Sequence, residues 1–152
     1  MEKWRKILAA VDEKNTSMQA LQYLGEFTGC TEGLELTLLY VYPEPPPYYF
    51  REGHNLQEYR EEKEKFARQI FAQYRDVLQK YGVTANAIST IFRMAANGST
   101  ISQTILQVQA EGDYGTVVVG KRGVTKAEEF LFGSISNTLV RASRDFTVWV
   151  VG

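Results

Sequence analysis

Hydrophobic residues along the chain gather into short apolar runs that alternate with segments of helical spacing. Residues 7–11 form a first apolar run that ends at Asp12, and they read as a buried strand. Thr16 and Gln19 then stand at capping-box spacing, followed by Met18, Leu21, Leu24 and Phe27 at near-helical intervals, with Gly29 and Gly33 bracketing the exit. Residues 34–41 are almost continuously apolar. A strand without alternation is expected to be covered on both faces.

Residues 43–55 break the pattern: they hold all four prolines and the run Tyr48-Tyr49-Phe50, and they read as an irregular loop. A long helix follows over residues 56–81, its stripe formed by Tyr59, Phe66, Ile70, Phe71, Tyr74, Val77, Leu78 and Tyr81, and Gly82 ends it. The charge run at residues 60–65 reads as its solvated face. Residues 83–94 supply a third strand. Ser99 or Thr100 caps a third helix with Ile101, Ile105 and Val108 inward, residues 116–119 form a fourth strand, residues 135–143 a fourth helix, and residues 147–151 a fifth strand.

Five strands alternating with four helices predict one α/β domain over residues 1–152, an open parallel sheet with right-handed crossovers and helices on both faces, Rossmann-like. In such sheets a ligand sits beyond the carboxyl ends of the strands, where the strand order reverses. Asp12, Val41 and the end of the fourth strand are the segments that would meet there.

The chemistry is concentrated after that fourth strand. Gly120-Lys121-Arg122-Gly123 is followed by nine residues and then by Gly133-Ser134 at the start of a helix. Glycines after a strand allow backbone N–H groups to approach an anion, and a Gly-Ser helix start adds N–H donors, a hydroxyl and the positive end of the helix dipole. This suits a phosphate chain. A P-loop reading of Gly115, Gly120 and Lys121 fails, because Arg122 stands where a Mg²⁺-binding Ser or Thr is needed and the intervening residues favour a strand.

Composition narrows the function. The 152 residues carry a net charge of −1 and a pI near 5.9, so nucleic acid is not an expected partner. Cys30 is the only cysteine, which excludes an internal disulfide and a cysteine-rich metal site, and His54 is the only histidine. No apolar run approaches the ~18–20 residues of a membrane span, and a cytoplasmic location is expected.

The spacing Gly-x2-Gly-x9-Gly-Ser, together with the opening Ile-Leu-Ala-Ala-Val-Asp, resembles the universal stress protein family, in its ATP-binding branch. The likeness spans essentially the whole chain. It implies the strand order 3-2-1-4-5 and an adenine nucleotide (ATP, or AMP or ADP) bound with Mg²⁺ or Mn²⁺. By the resemblance, Asp12 faces the adenosine, the Val41 backbone meets the adenine edge, and Val119 and Gly120 lie against the ribose. Gly123, Gly133, Ser134 and the Ile135 N–H then hold the phosphates. It also implies a homodimer through the last strand.

Each role has a plainer counterpart: Asp12 as a turn cap, Val41 as core. Glu128 and Glu129 would repel a triphosphate unless turned outward or helping to hold a cation, with Lys121, Arg122 and Lys126 offsetting them. Three functions are open at this point: a nucleotide-dependent stress-response module read by an unknown protein partner, a slow ATPase or adenylate-handling hydrolase, and a nucleotide-free dimeric interaction protein.

Overall fold

A computed structural model describes residues 2–12, 15–120 and 134–152. Its centre is a five-stranded sheet in the order 3-2-1-4-5, with strands β1 (Lys6–Ala10), β2 (Glu35–Pro43), β3 (Ile88–Ala95), β4 (Thr116–Gly120) and β5 (Thr147–Val151). All four neighbouring pairs are parallel. The open parallel sheet, its strand order and its helices on both faces are as expected.

Strand period two divides the core into two layers. Ile7 and Ala9 of β1, with Leu36, Leu38, Tyr40 and Tyr42 of β2, pack toward helices α1 (Asn15–Thr28) and α3 (Leu56–Lys80). Leu8, Leu39, Val117 and Val119 point the other way, toward α4 (Ile101–Gly112) and α5 (Ser134–Ala142). Both faces of β1 are therefore dry, which is why its sequence shows no polar alternation.

The helix ends follow local chemistry. Thr100, not Ser99, caps α4: its side chain accepts from the Gln103 N–H while the Gln103 side chain accepts from the Thr100 N–H. α3 stops at Gly82, whose φ of +98° lets the Gly82 and Val83 N–H groups turn back onto the Gln79 and Leu78 carbonyls.

Four expectations need correction. The third strand begins at Ile88 rather than residue 83. β2 begins at Glu35 and Leu36 pairs with Ile88, so residues 83–87 have no strand to extend, and Ala85–Ala87 winds into a 3-10 turn. The segment 43–55 is not wholly irregular, because Pro47, whose fixed φ suits a first helical position, opens a short helix α2 (Pro47–Arg51). Phe27 sits at helical spacing but is 61% exposed, and its ring instead meets Trp149 of β5 edge-on at 5.2 Å. Phe66, placed in the apolar stripe of α3, is exposed, and its ring meets Tyr40 edge-on at 6.0 Å.

Candidate functional site

β1 and β4 are neighbours whose following helices lie on opposite faces of the sheet, so their carboxyl ends diverge and leave a cleft. A cavity opens there, at the carboxyl ends of the strands. Asp12, Val41, Val119, Gly120 and Ile135 all line it. Five of the eight site residues read from the sequence thus converge, although they span 123 positions of the chain. Ser134 is the first residue of α5, so a helix N-terminus is presented at this cleft. Gly123 and Gly133 lie outside the described residues, as do Lys121, Arg122, Lys126, Glu128 and Glu129.

Asp12 follows β1 by two residues. The Ser17 hydroxyl donates to Asp12 Oδ1 at 2.8 Å, and Ser17 Oγ accepts from the Asp12 N–H at 3.0 Å. Ser17 is buried in the first turns of α1, so this reciprocal pair fixes the carboxylate against the cavity wall. The turn-capping use of Asp12 and its use as a ligand group are therefore compatible.

Val41 presents backbone to the same cleft. The Val11 N–H donates to the Leu39 carbonyl at 2.9 Å. Leu39 therefore turns its peptide groups toward β1, and by the two-residue alternation Val41 does so as well. β1 ends at Ala10, the partner of Leu39, so the Val41 edge lies beyond the last paired position. The Val41 side chain packs with the α4 layer, as its core reading expected. On the other side of β2, Val41 is in register with Arg93, which bonds Glu111 of α4 at 2.7 Å. That hydrogen bond is the main reason the Glu111 carboxyl titrates below its ordinary range.

The rest of the wall escaped sequence reading. Ser17 and Ser136 are buried polar residues in the cavity lining, and Ile101 and Ile105 of α4 add an apolar side. Ile101 and Ile105 appeared as ordinary inward positions of a helix. Ser136 stands next to the predicted Ile135 in the sequence, but nothing in its spacing marked it as a wall residue.

The prolyl segment does not cover this cavity. Tyr49 of α2 stacks on His54 at 4.7 Å and meets Tyr59 of α3 at 5.3 Å, on the layer of the sheet away from α4. Tyr48 and Phe50 are exposed. His54 pairs with Glu58 at 3.0 Å and is not among the cavity residues. Among the described residues, no group of three or more His, Cys, Asp or Glu side chains is arranged to hold a metal ion. No described helix is long and apolar enough to cross a membrane.

Comparison with known proteins fits this picture. The profile of the Universal stress protein family matches residues 3–152. A universal stress protein from Lactobacillus plantarum superposes over 100% of this chain and 100% of its own, with a TM-score of 0.76 and 17% identity. A universal stress protein solved in complex with cAMP covers 96% of this chain and 95% of its own, with a TM-score of 0.70 and 19% identity. One from Archaeoglobus fulgidus, solved with dAMP, covers 96% of this chain and 96% of its own, with a TM-score of 0.62 and 16% identity. At such identities the superpositions establish the fold. No curated protein matches the sequence.

Proposed function

The chain belongs to the universal stress protein family, and from that premise and the geometry of the cleft we propose that it binds ATP with Mg²⁺ or Mn²⁺ as a stress-response module of the cytoplasm. In this reading residues 1–152 are one nucleotide-binding domain whose bound state is recognised by a protein partner. The observation that carries it is the convergence of Asp12, Val41, Val119, Gly120 and Ile135 on one cavity beside the N-terminus of α5. Asp12 accepts from the adenosine, the Val41 backbone meets the adenine edge, and Val119 and Gly120 flank the ribose. Gly123, Gly133, Ser134 and the Ile135 N–H cradle the phosphates, where a helix dipole favours negative charge. Two of the structural neighbours were solved with adenine nucleotides, cAMP and dAMP, which supports this ligand class.

Binding is favoured over turnover. His54, the only histidine, is held away from the cavity by Tyr49 and Glu58. Mass spectrometry of the freshly purified, denatured protein is expected to release ATP or AMP. Calorimetry with Mg²⁺ then tests the site: Gly133→Val places a branched side chain where backbone must meet phosphate, and it should abolish ATP binding while circular dichroism stays native. Unchanged affinity in the folded variant would overturn the assignment.

The same reading includes a two-fold dimer through β5. β5 is an edge strand, and an apolar edge invites pairing with another chain. The Thr147 N–H donates to Gly115 of the neighbouring strand. By alternation the Val148 and Val150 N–H groups point to the open edge. Beside that edge, Tyr23 and Phe27 of α1 gather around Trp149 and remain 49% and 61% exposed, a patch that a second copy would cover.

A further inference from the structure

We infer that Tyr74 is a positioning residue of the nucleotide cleft, acting from the far side of the sheet through the backbone of Asp12. Its phenol donates a hydrogen bond to the Asp12 carbonyl across 62 positions of sequence. Tyr74 lies on α3, in the layer opposite the cavity, and its side chain is 2% exposed.

The geometry around Asp12 gives that bond a role. Asp12 lies past the end of β1, so the sheet ladder no longer dictates its peptide orientation. Polar contacts from two helices hold it instead. Ser17 holds the Asp12 N–H and the carboxylate from α1, and Tyr74 holds the carbonyl from α3. The two anchors come from different helices and grip opposite ends of one residue. Together they set its backbone dihedrals, and hence the direction in which the carboxylate meets the cavity.

Packing alone does not call for the hydroxyl. A buried phenylalanine would fill the same space in the core, whereas a buried phenol requires a partner. The Tyr74 hydroxyl finds that partner in a carbonyl whose residue lines the cleft. The sequence placed it in the apolar stripe of α3, where a tyrosine is indistinguishable from any other large apolar residue.

The ligand side of this inference rests on the ATP reading above, and the backbone side does not. The full chain is compared with Tyr74→Phe, Asp12→Ala and the double variant by calorimetry with Mg²⁺ and ATP. Tyr74→Phe should weaken ATP binding about five- to tenfold, the range of one hydrogen bond, and less than about twofold once Asp12 is alanine. Equal loss in both backgrounds, or no loss, overturns the inference. Amide hydrogen exchange on the nucleotide-free chain gives a second readout. The Asp12 N–H should exchange at least about tenfold faster in Tyr74→Phe, after correction for any change at the central Val118 amide. Exchange at Asp12 that merely follows Val118 also overturns it. If the native chain binds neither ATP nor AMP, the nucleotide reading fails, and the exchange experiment alone decides the role of Tyr74.

Discussion

Replacing Gly29 by alanine sets local conformational preference against tertiary packing, and the structure says which prevails. Gly29 directly follows α1, and its N–H donates to the Gly25 carbonyl at 2.8 Å. It is not among the positive-φ glycines, so alanine is conformationally acceptable there. On local grounds the change should stabilise the protein by about 0.4–1 kcal/mol, through a less flexible unfolded chain. Packing opposes it. A Cβ at Gly29 would stand 1.9 Å from the Tyr81 carbonyl oxygen and 2.9 Å from its carbon, at the end of α3. Ordinary contact begins at 3.4 Å, so the two helix ends would have to part by about 1.5 Å.

Both colliding groups are backbone, and no rotamer change relieves them. Overpacking costs about 1–3 kcal/mol where side chains can adjust, so a cost near the upper end applies here. The net expectation is a loss of about 2–3 kcal/mol and a Tm lower by about 4–12 °C for a chain of this length. Urea unfolding followed by circular dichroism, at one fixed protein concentration, measures it. Gly53→Ala is the comparison: Gly53 has a φ of +89° and no neighbour within 4 Å, so its cost is conformational alone, about 1–2 kcal/mol. A Gly29→Ala protein as stable as the native one would refute the close approach of α1 and α3.

Two further outcomes follow from the proposed site and assembly. ATP should bind more tightly than GTP, because guanine presents a carbonyl where the Val41 edge would meet the adenine amine, and one mismatched buried polar group costs about 1–3 kcal/mol; equal affinities in calorimetry would exclude an adenine edge read by Val41. Light scattering at micromolar concentration should give twice the 17.3 kDa chain mass. Val150→Pro, which deletes an edge-facing donor, and Phe27→Glu, which charges an exposed patch residue, should each shift the protein toward monomer. A native mass near 17.3 kDa across that range would overturn the dimer.

Much of the architecture was legible because it is set by local pattern. The apolar runs at β1, β2 and β4 mark strands dry on both faces, the spacing of Ile101, Ile105 and Val108 marks the buried side of α4, and Ser99 or Thr100 marked its start, which the structure resolves to Thr100. Pairing was not legible in this way. The strand order rested on family resemblance, and the start of β3 depended on where β2 begins, since residues 83–87 are apolar enough for a strand but have nothing beside them to hydrogen-bond.

The site divides along the same line. Asp12, Val41 and Gly120 could be singled out because each lies within two residues of a strand's carboxyl end, and parallel strands bring such ends to one side of the sheet. Ser17 and Tyr74 could not, because hydroxyls at helical spacing carry no mark of which carbonyl or carboxylate they will reach. That is settled only when α1 and α3 pack against the sheet and bring positions 12, 17 and 74 together. Gly29 shows the limit most plainly: the sequence marked it as a helix exit, while the packed structure makes it the point where two backbones touch. Periodicity and turn chemistry are properties of neighbours along the chain, and the sequence determines them by itself. Contacts between elements depend on the sheet that aligns them, and only the tertiary structure decides those.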